Sequence, residues 1–504
     1  MEPFVSHQHS QEIELKLILE PQQRAAVLQL CEQLAKGAEH DIFELNNAYF
    51  DTDDLRLREY DMGLRIRQRG EHLEQTIKLA GQVLGGMHQR PEYNRVIAQP
   101  VPDLTLFEED IWPDDFPLFD IQRELKEIFR TDFTRHRWRI PQGDGMIELV
   151  FDEGEIIAAE HRQPICEIEL EVQGADTAAA YKLARRFITR VNARVGTLSK
   201  AARGYLLAGK SVLEPYTHAD FVSQQGQDDV GQGLYRALTY ALQYWQHNDA
   251  CLTQQPCVQA VAGITDGIRL SKVVLQQLAL FEIDVSDHIL RLEQMLGHLG
   301  WLSRFDGLNE LIAEDGAYHR ALKQNTKLYE HILEQQQHAV QLELVVNLSK
   351  RDDYQLTLFE LGELCAQQPR HEQLMQTPLK QWAVQRLRDD WQWVAEPFTR
   401  AEEMRPEQYL KQLPQLQSSL QLGYCVGALF DQQDREQFRA PWLDMLRGIR
   451  EILALKLLRE AIKDTDDINT ERLLSWQEVQ LESLLYALER SRRSAIKQEP
   501  YWIL

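Results

Sequence analysis

The stretch EIELKLIL, Glu12–Leu19, alternates charged and apolar residues. Glu12, Glu14 and Lys16 share one parity, and Ile13, Leu15 and Leu17 share the other. A period of two is that of a β-strand, whose successive side chains point to opposite faces. One whole face of this strand is therefore given to two carboxylates and an amine. The same pattern recurs downstream. Leu64 and Ile66 alternate with Arg65, Arg67 and Arg69. Leu73, Gln75, Ile77 and Leu79 alternate with Glu74, Thr76 and Lys78. Thr134, His136 and Trp138 alternate with Arg135, Arg137 and Arg139. Ile147, Leu149 and Phe151 alternate with Glu148, Val150 and Asp152, and Ile168, Leu170 and Val172 with Glu167, Glu169 and Glu171.

For any one strand, the plain reading is a sheet with one face on the core and one in water. The set as a whole points elsewhere. Some strands carry only arginine on the polar face and others only carboxylate, so like charges repel along each strand. A closed barrel resolves this, with an apolar exterior covered by helices and a polar interior that brings the two signs together. Guanidinium forks and lysine ammonium groups suit a chain of phosphates. Carboxylates at i and i+2 offer oxygen ligands to Mg²⁺ or Mn²⁺, which can bridge them to phosphate oxygens.

With 504 residues the chain is too long for one ordinary core. Apolar content of 43% and charged content of 26% are those of a soluble globular protein. A net charge of -23 argues against a nucleic-acid partner, while leaving room for a local cationic cavity. The six cysteines form no CxxC pair, so neither a disulfide framework nor a zinc site is expected. MEPFVSHQHSQ lacks the basic and apolar regions of a secretory signal, and no apolar run reaches the ~20 residues of a membrane span. No membrane association and a cytoplasmic location are expected.

The periodicity divides the chain. Residues 1–10 read as a flexible N-terminus. Residues 11–210 read as strands and hairpins with two helices, one after Pro21 and one capped by Asp176. Residues 211–230 read as a linker. Over 231–504 apolar residues recur at helical spacing, as in IRLSKVVLQQLALFE, which predicts an all-α bundle. Trp245, Trp301, Trp382, Trp391 and Trp393 are expected in its core.

These residues resemble a known family. ExExK at Glu12, Glu14 and Lys16 is similar to the signature of the CYTH, or triphosphate tunnel metalloenzyme, superfamily. LRIR (64–67), TIK (76–78), GGMHQRPEYN (85–94), FDEGE (151–155), EIELE (167–171) and SKAARGY (199–205) follow in that family's order. GGMHQRPEYN, SKAARGY and the closing QEPYW (498–502) resemble the bacterial two-domain CYTH–CHAD inorganic triphosphatases.

The resemblance implies an α+β fold: an eight-stranded antiparallel β tunnel with flanking helices, followed by a CHAD-like helical domain. It implies hydrolysis of inorganic triphosphate to diphosphate and phosphate. Lys16, Arg65, Arg67, Lys78, Arg90, Arg135, Arg137, Lys200 and Arg203 would hold the phosphates. Glu12, Glu14, Asp152, Glu167 and Glu169 would be the catalytic, metal-binding carboxylates, for two Mg²⁺ (or Mn²⁺) ions with substrate bound. Glu148 and Glu171 share the parity, and Arg69 and Arg139 are expected at a tunnel mouth. No side chain is placed as a covalent nucleophile, and His88 and His136 are read as spectators.

The resemblance is weaker in the helical half. Arg269, Lys272, Arg304 and Asp306 match, but EQYLKQLPQLQSSLQLGY has Gln and Ser where a basic stripe would lie. Outside residues 1–210 there are 29 Lys+Arg against 42 Asp+Glu, which argues against polyphosphate as its partner. Two other readings stay open: a nucleoside or thiamine triphosphatase or CYTH-type adenylate cyclase using the same tunnel, and a non-catalytic polyphosphate-binding scaffold.

Overall fold

The computed structural model describes residues 9–400 and 402–503. Most of the expected flexible N-terminus therefore lies outside the described residues, and His9 and Ser10 already belong to the first strand. Two compact units result. One holds the chain up to Glu214 together with Leu348–Glu363; the other holds Pro215–Asn347 and the chain from Leu364 onward. The sequence sets the whole of 231–504 apart as one helical domain, whereas the fold draws Leu348–Glu363 into the first unit.

The first unit is built on ten strands: β1 (His9–Ile18), β2 (Glu39–Asp51), β3 (Gly63–Arg69), β4 (His72–Lys78), β5 (Gln82–Leu84), β6 (Met87–Ile97), β7 (Lys126–Gln142), β8 (Gly145–Ala158), β9 (His161–Gln173) and β10 (Arg194–Val195). Their order is β10-β1-β9-β8-β7-β2-β3-β4-β6-β5, and β1 also pairs with β6. That last pairing closes eight antiparallel strands into a barrel, leaving β5 and β10 as short additions at its rim.

Closure puts the apolar parity outside. Leu15, Leu17, Leu149, Phe151, Ile168 and Leu170 are fully buried beneath α1 (Arg24–Leu34) and α4 (Thr177–Val191), which contribute Val27, Cys31, Tyr181, Ala184, Phe187 and Ile188. Such side chains stabilise by about 1.5–3 kcal/mol each. As expected, Asp176 caps α4, accepting from the Ala178 amide at 2.9 Å. On the opposite side, Leu64, Ile66, Ile77 and Tyr93 are covered by Leu104, Phe107, Ile111 and Ile121 from the 98–125 connection, the last of them on α3 (Leu118–Glu124).

The interior is less uniformly polar than the alternation predicts. Leu45, Tyr49, Phe129, Phe133, Ile156 and Ile165 share the inward parity of β2, β7, β8 and β9 and form an apolar cluster with Tyr205. Tyr205 belongs to α5 (Lys200–Leu207), which packs into this part of the barrel. Gly204 permits that fit: a Cβ there would lie within the Phe129 ring.

The second unit is helical. Its long members are Val230–Gln254, Val258–Ala279, Leu379–Arg400, Pro406–Val426, Gln432–Asp464 and Thr470–Lys497. Trp245 is fully buried in it, but Trp393 is 57% exposed, contrary to its expected core position. The closing Tyr501 and Trp502 are buried against Phe438. Among the described residues no helix is long and apolar enough to cross a membrane, and all six cysteines are free.

Candidate active site

The strand register turns the alternating charges into facing pairs. Lys16 on β1 lies opposite Glu169 on β9, and Glu14 opposite Glu171. Glu12 lies opposite Arg90 on β6, and Lys78 on β4 opposite Glu92. Arg135 on β7 lies opposite Asp152, which in turn lies opposite Glu167. Directly opposed residues share a face of the sheet. All these side chains therefore point into the barrel.

They form two groups. In the first, Lys16 Nζ donates to Glu167 at 3.1 Å and also to Glu169. Lys200 Nζ, delivered by α5, reaches Asp152 at 2.7 Å and Glu169 at 3.0 Å, and also meets Glu167. Arg135 holds Asp152 with a two-pronged bond of 2.7 and 2.6 Å and reaches Glu169 at 2.9 Å. Arg203 Nη1 donates to Glu167 at 3.1 Å and its Nη2 to the Pro164 carbonyl at 2.5 Å. Burial alone would raise Glu169; Lys16, Lys200 and Arg135 instead hold it well below the usual carboxylate range. Burial likewise opposes the charge on Lys16, but Glu167 and Glu169 more than offset it.

In the second group Lys78 joins Glu12 at 2.5 Å to Glu92 at 2.7 Å, and Arg65 reaches Glu92 at 3.2 Å. Burial raises Glu12, and Lys78 only partly counters it. Glu171 is pushed up to about 7 by burial and by the neighbouring Glu148. Among the described residues Arg67 has no carboxylate partner; its Nε donates to Asn47 Oδ1 at 2.9 Å. Burial, then Arg65 and Arg135, lower it to about 10, so it remains a cation at neutral pH.

These groups border a cavity of about 430 Å³. Ten of the residues expected at the site line it: Glu12, Glu14, Lys16, Arg65, Arg67, Lys78, Arg90, Arg135, Glu169 and Lys200. Asp152, Glu167, Arg137 and Arg203 do not. Asp152 and Glu167 are fully buried under their cationic partners. Arg137 pairs with Asp41 at 2.5 Å and approaches Glu148 at 3.8 Å. Arg69 stacks over Phe43 at 3.6 Å and Arg139 pairs with Glu39 at 2.9 Å, both off the cavity wall.

Sequence reasoning missed Glu92, Arg58, Asn47, Tyr49 and Asn94, which also line the cavity. Glu92 and Asn94 share the parity of Arg90 and were legible in QRPEYN. Asn47 and Tyr49 follow Phe43 and Leu45 on one face, so no polar stripe marks them. Arg58 sits on a four-residue helix, α2 (Arg56–Glu59 on the chain before β3), where no period applies.

His88 is more than a spectator. Its Nε2 is 2.8 Å from the Gly196 carbonyl and its Nδ1 is 3.1 Å from Arg90 Nη2. A carbonyl only accepts and a guanidinium only donates, so Nε2 carries the proton and Nδ1 accepts. The ring is neutral and orients Arg90. His136 lies on the outer face, stacked near His40 and Trp138.

One oxygen from each of Asp152, Glu167 and Glu169 lies within 4.8 Å of the other two, a buried acidic cluster of the kind that can hold a metal ion. Carboxylate oxygens suit a hard divalent cation. Glu12, Glu14 and Glu171 offer a further oxygen set on the cavity wall. The donors present therefore fit such an ion.

Residues 10–205 match the family model described as the CYTH domain, a span that takes in the barrel strands and most of α5. An inorganic triphosphatase of Haemophilus influenzae is 35% identical over 225 residues, covering 44% of this chain. The match spans 62% of that relative's own length. Among solved structures, HpAC1 of Hippeastrum, described as having a dominant triphosphatase activity, is 21% identical with a TM-score of 0.31. It covers 40% of this chain and 97% of its own. The CHAD domain of Ricinus communis is 12% identical with a TM-score of 0.40, covering 55% of this chain and 97% of its own.

Proposed function

We propose that this chain is a divalent-metal-dependent triphosphatase that cleaves inorganic triphosphate into diphosphate and phosphate inside the barrel. One observation carries the reading: eight basic and six acidic side chains line a single cavity of about 430 Å³. That volume is toward the small end of the ~300–1,000 Å³ of small-molecule sites and suits a compact anion. The CYTH match and the Haemophilus influenzae relative support the same activity.

The cavity-lining cations Lys16, Arg65, Arg67, Lys78, Arg90, Arg135 and Lys200 bind the phosphate chain. Arg67 is the readiest of them, because among the described residues no carboxylate hydrogen-bonds it and Glu92 only partly offsets the repulsion from Arg65 and Arg135. Arg137 and Arg203 act one layer back, holding Glu148 and Glu167. Glu12, Glu14, Asp152, Glu167 and Glu169 are the metal-binding set, with Glu171 beside Glu14. When held there, Mg²⁺ or Mn²⁺, two ions with substrate present, would supply Lewis-acid stabilisation of the charge on the phosphate chain. Carboxylates of the same set orient a water in line with the terminal phosphorus. His88, neutral and hydrogen-bonded at both nitrogens, takes no proton.

The helical unit does not act as the polyphosphate receptor in this reading. Arg269 is paired with Asp266 at 3.3 Å, Lys272 with Glu293 at 2.9 Å, and Arg304 approaches Glu460 at 3.6 Å. The site of action is the cytoplasm.

The test is phosphate release from tripolyphosphate, ATP and thiamine triphosphate, with Mg²⁺, with Mn²⁺ and with EDTA. Tripolyphosphate should be the preferred substrate, and EDTA should abolish its turnover. Faster release from ATP or thiamine triphosphate would assign the tunnel to an organic substrate. Undiminished release in EDTA would remove the metal from the mechanism.

A further inference from the structure

The segment Leu348–Glu363 is separated by 133 residues from Glu214, where the first stretch of the barrel's unit ends, yet it packs into that same unit. Its helical part presents Gln355, Phe359 and Gly362 at i, i+4 and i+7, one face of a helix. Phe359 is fully buried in the cluster formed by β1, β8, β9 and α4, with its ring 5.2 Å from that of Tyr181. Arg185 of α4 ties the segment down through Glu363 at 2.7 Å and through Glu360.

The other two residues of the face meet the two turns that hold Lys16. Gly362 lies directly against Gly85: a Cβ on either glycine would come 2.5 Å from the Cα of the other. Gly85 and Gly86 both have positive φ, 58° and 83°, and the Gly86 carbonyl accepts from the Lys16 amide at 2.8 Å. Gln355 Oε1 accepts from the Val195 amide at 2.8 Å, and the next amide, Gly196, donates to the Lys16 carbonyl at 2.9 Å. Gly196 also leaves room for the lysine stem, since a Cβ there would lie 2.7 Å from Lys16 Cγ. Both backbone groups of Lys16 are thus held by turns that the segment braces from outside the barrel.

We infer that Gln355 and Gly362 are positioning residues for Lys16, so that a helix from the later half of the sequence sets the placement of a cation in the tunnel. The inference rests on the triphosphatase reading for its kinetic consequence only. The bracing itself is a matter of backbone geometry.

The test uses the full-length chain with Gly362→Ala and, separately, Gln355→Met, each alone and combined with Lys16→Ala. Contacting residues couple, whereas independent ones add. Each positioning variant should raise the KM for tripolyphosphate about fivefold, a typical coupling, with kcat changed less. In the Lys16→Ala background the same substitution should leave KM unmoved. Hydrogen exchange of the peptide spanning residues 12–19 should also lose protection at the Lys16 amide in the single variants. An equal rise in KM in both backgrounds, or unchanged KM and unchanged exchange, would overturn the inference. If Gly362→Ala does not fold by circular dichroism, Gln355→Met carries the comparison. If the native chain does not turn over tripolyphosphate, the triphosphatase reading fails, and the exchange measurement still decides whether the segment holds Lys16.

Discussion

Lys16 and Glu169 face each other across the β1–β9 ladder, and the lysine ammonium bonds both Glu169 and Glu167 within a buried group that also holds Lys200, Arg135 and Asp152. The pairing makes the acidic cluster affordable in a barrel interior. Three carboxylates so close together would otherwise repel one another with little water to screen them.

Glu169→Gln removes the carboxylate charge whose Oε1 accepts from Lys16 and Lys200 and whose Oε2 accepts from Arg135. Turnover of tripolyphosphate should fall by about 100-fold or more, the usual consequence of losing a fixed electrostatic group at a reacting centre. Circular dichroism should still report a folded chain. Near-native rates at saturating Mg²⁺ would remove Glu169 from the site.

Arg67→Met separates stability from function. Among the described residues no carboxylate hydrogen-bonds the guanidinium, and its burial, only partly offset by Glu92, is unfavourable to the charge. The substitution should leave the melting temperature unchanged or raise it, while KM for tripolyphosphate rises about tenfold, the equivalent of ~1.4 kcal/mol of lost binding. A thermal melt beside a KM measurement checks both. A drop in melting temperature with KM intact would show a structural role instead.

Gly204→Ala should displace α5. Alanine is the better helix former by about 1 kcal/mol, but its Cβ collides with the buried Phe129 ring. Lys200 and Arg203 would then shift away from Asp152 and Glu167, and turnover should fall well below the native rate. Phe129→Leu in the same chain opens the space and should restore part of the activity. Absence of any rescue would mean that the loss comes from another cause.

His88 gives a pH dependence. Its ordinary value of 6.5 drops to about 3 in the fold, through burial first and then Lys16 and Arg90. Below pH 6.5 the unfolded chain takes up a proton at this ring that the folded one does not. Stability from this group is therefore complete above 6.5 and is lost as pH falls toward 3, by up to about 1.4 kcal/mol per pH unit. Urea denaturation between pH 4.5 and 6.5 should show a shallower pH slope in His88→Gln. Identical slopes would mean that the ring titrates normally.

The faces of the strands were legible because a strand's period is two and local. Glu12, Lys16, Arg65 and Arg135 could be assigned to one side of the sheet without knowing their neighbours. Glu92 was equally legible by its parity with Arg90, but a lone glutamate in an arginine stretch does not stand out. Asn47 and Tyr49 were masked because β2 continues the same face with Phe43 and Leu45, where α5 fills the interior.

From sequence alone came the alternation that requires an enclosed charged interior, the two halves with different periods, and the helix capped by Asp176. Tertiary structure alone decided that Lys16 meets Glu169, that Lys200 arrives from α5, and that Gly362 rests on Gly85. Periodicity is a property of neighbouring residues, whereas register, barrel closure and docking depend on contacts between segments up to hundreds of residues apart, which no local pattern encodes.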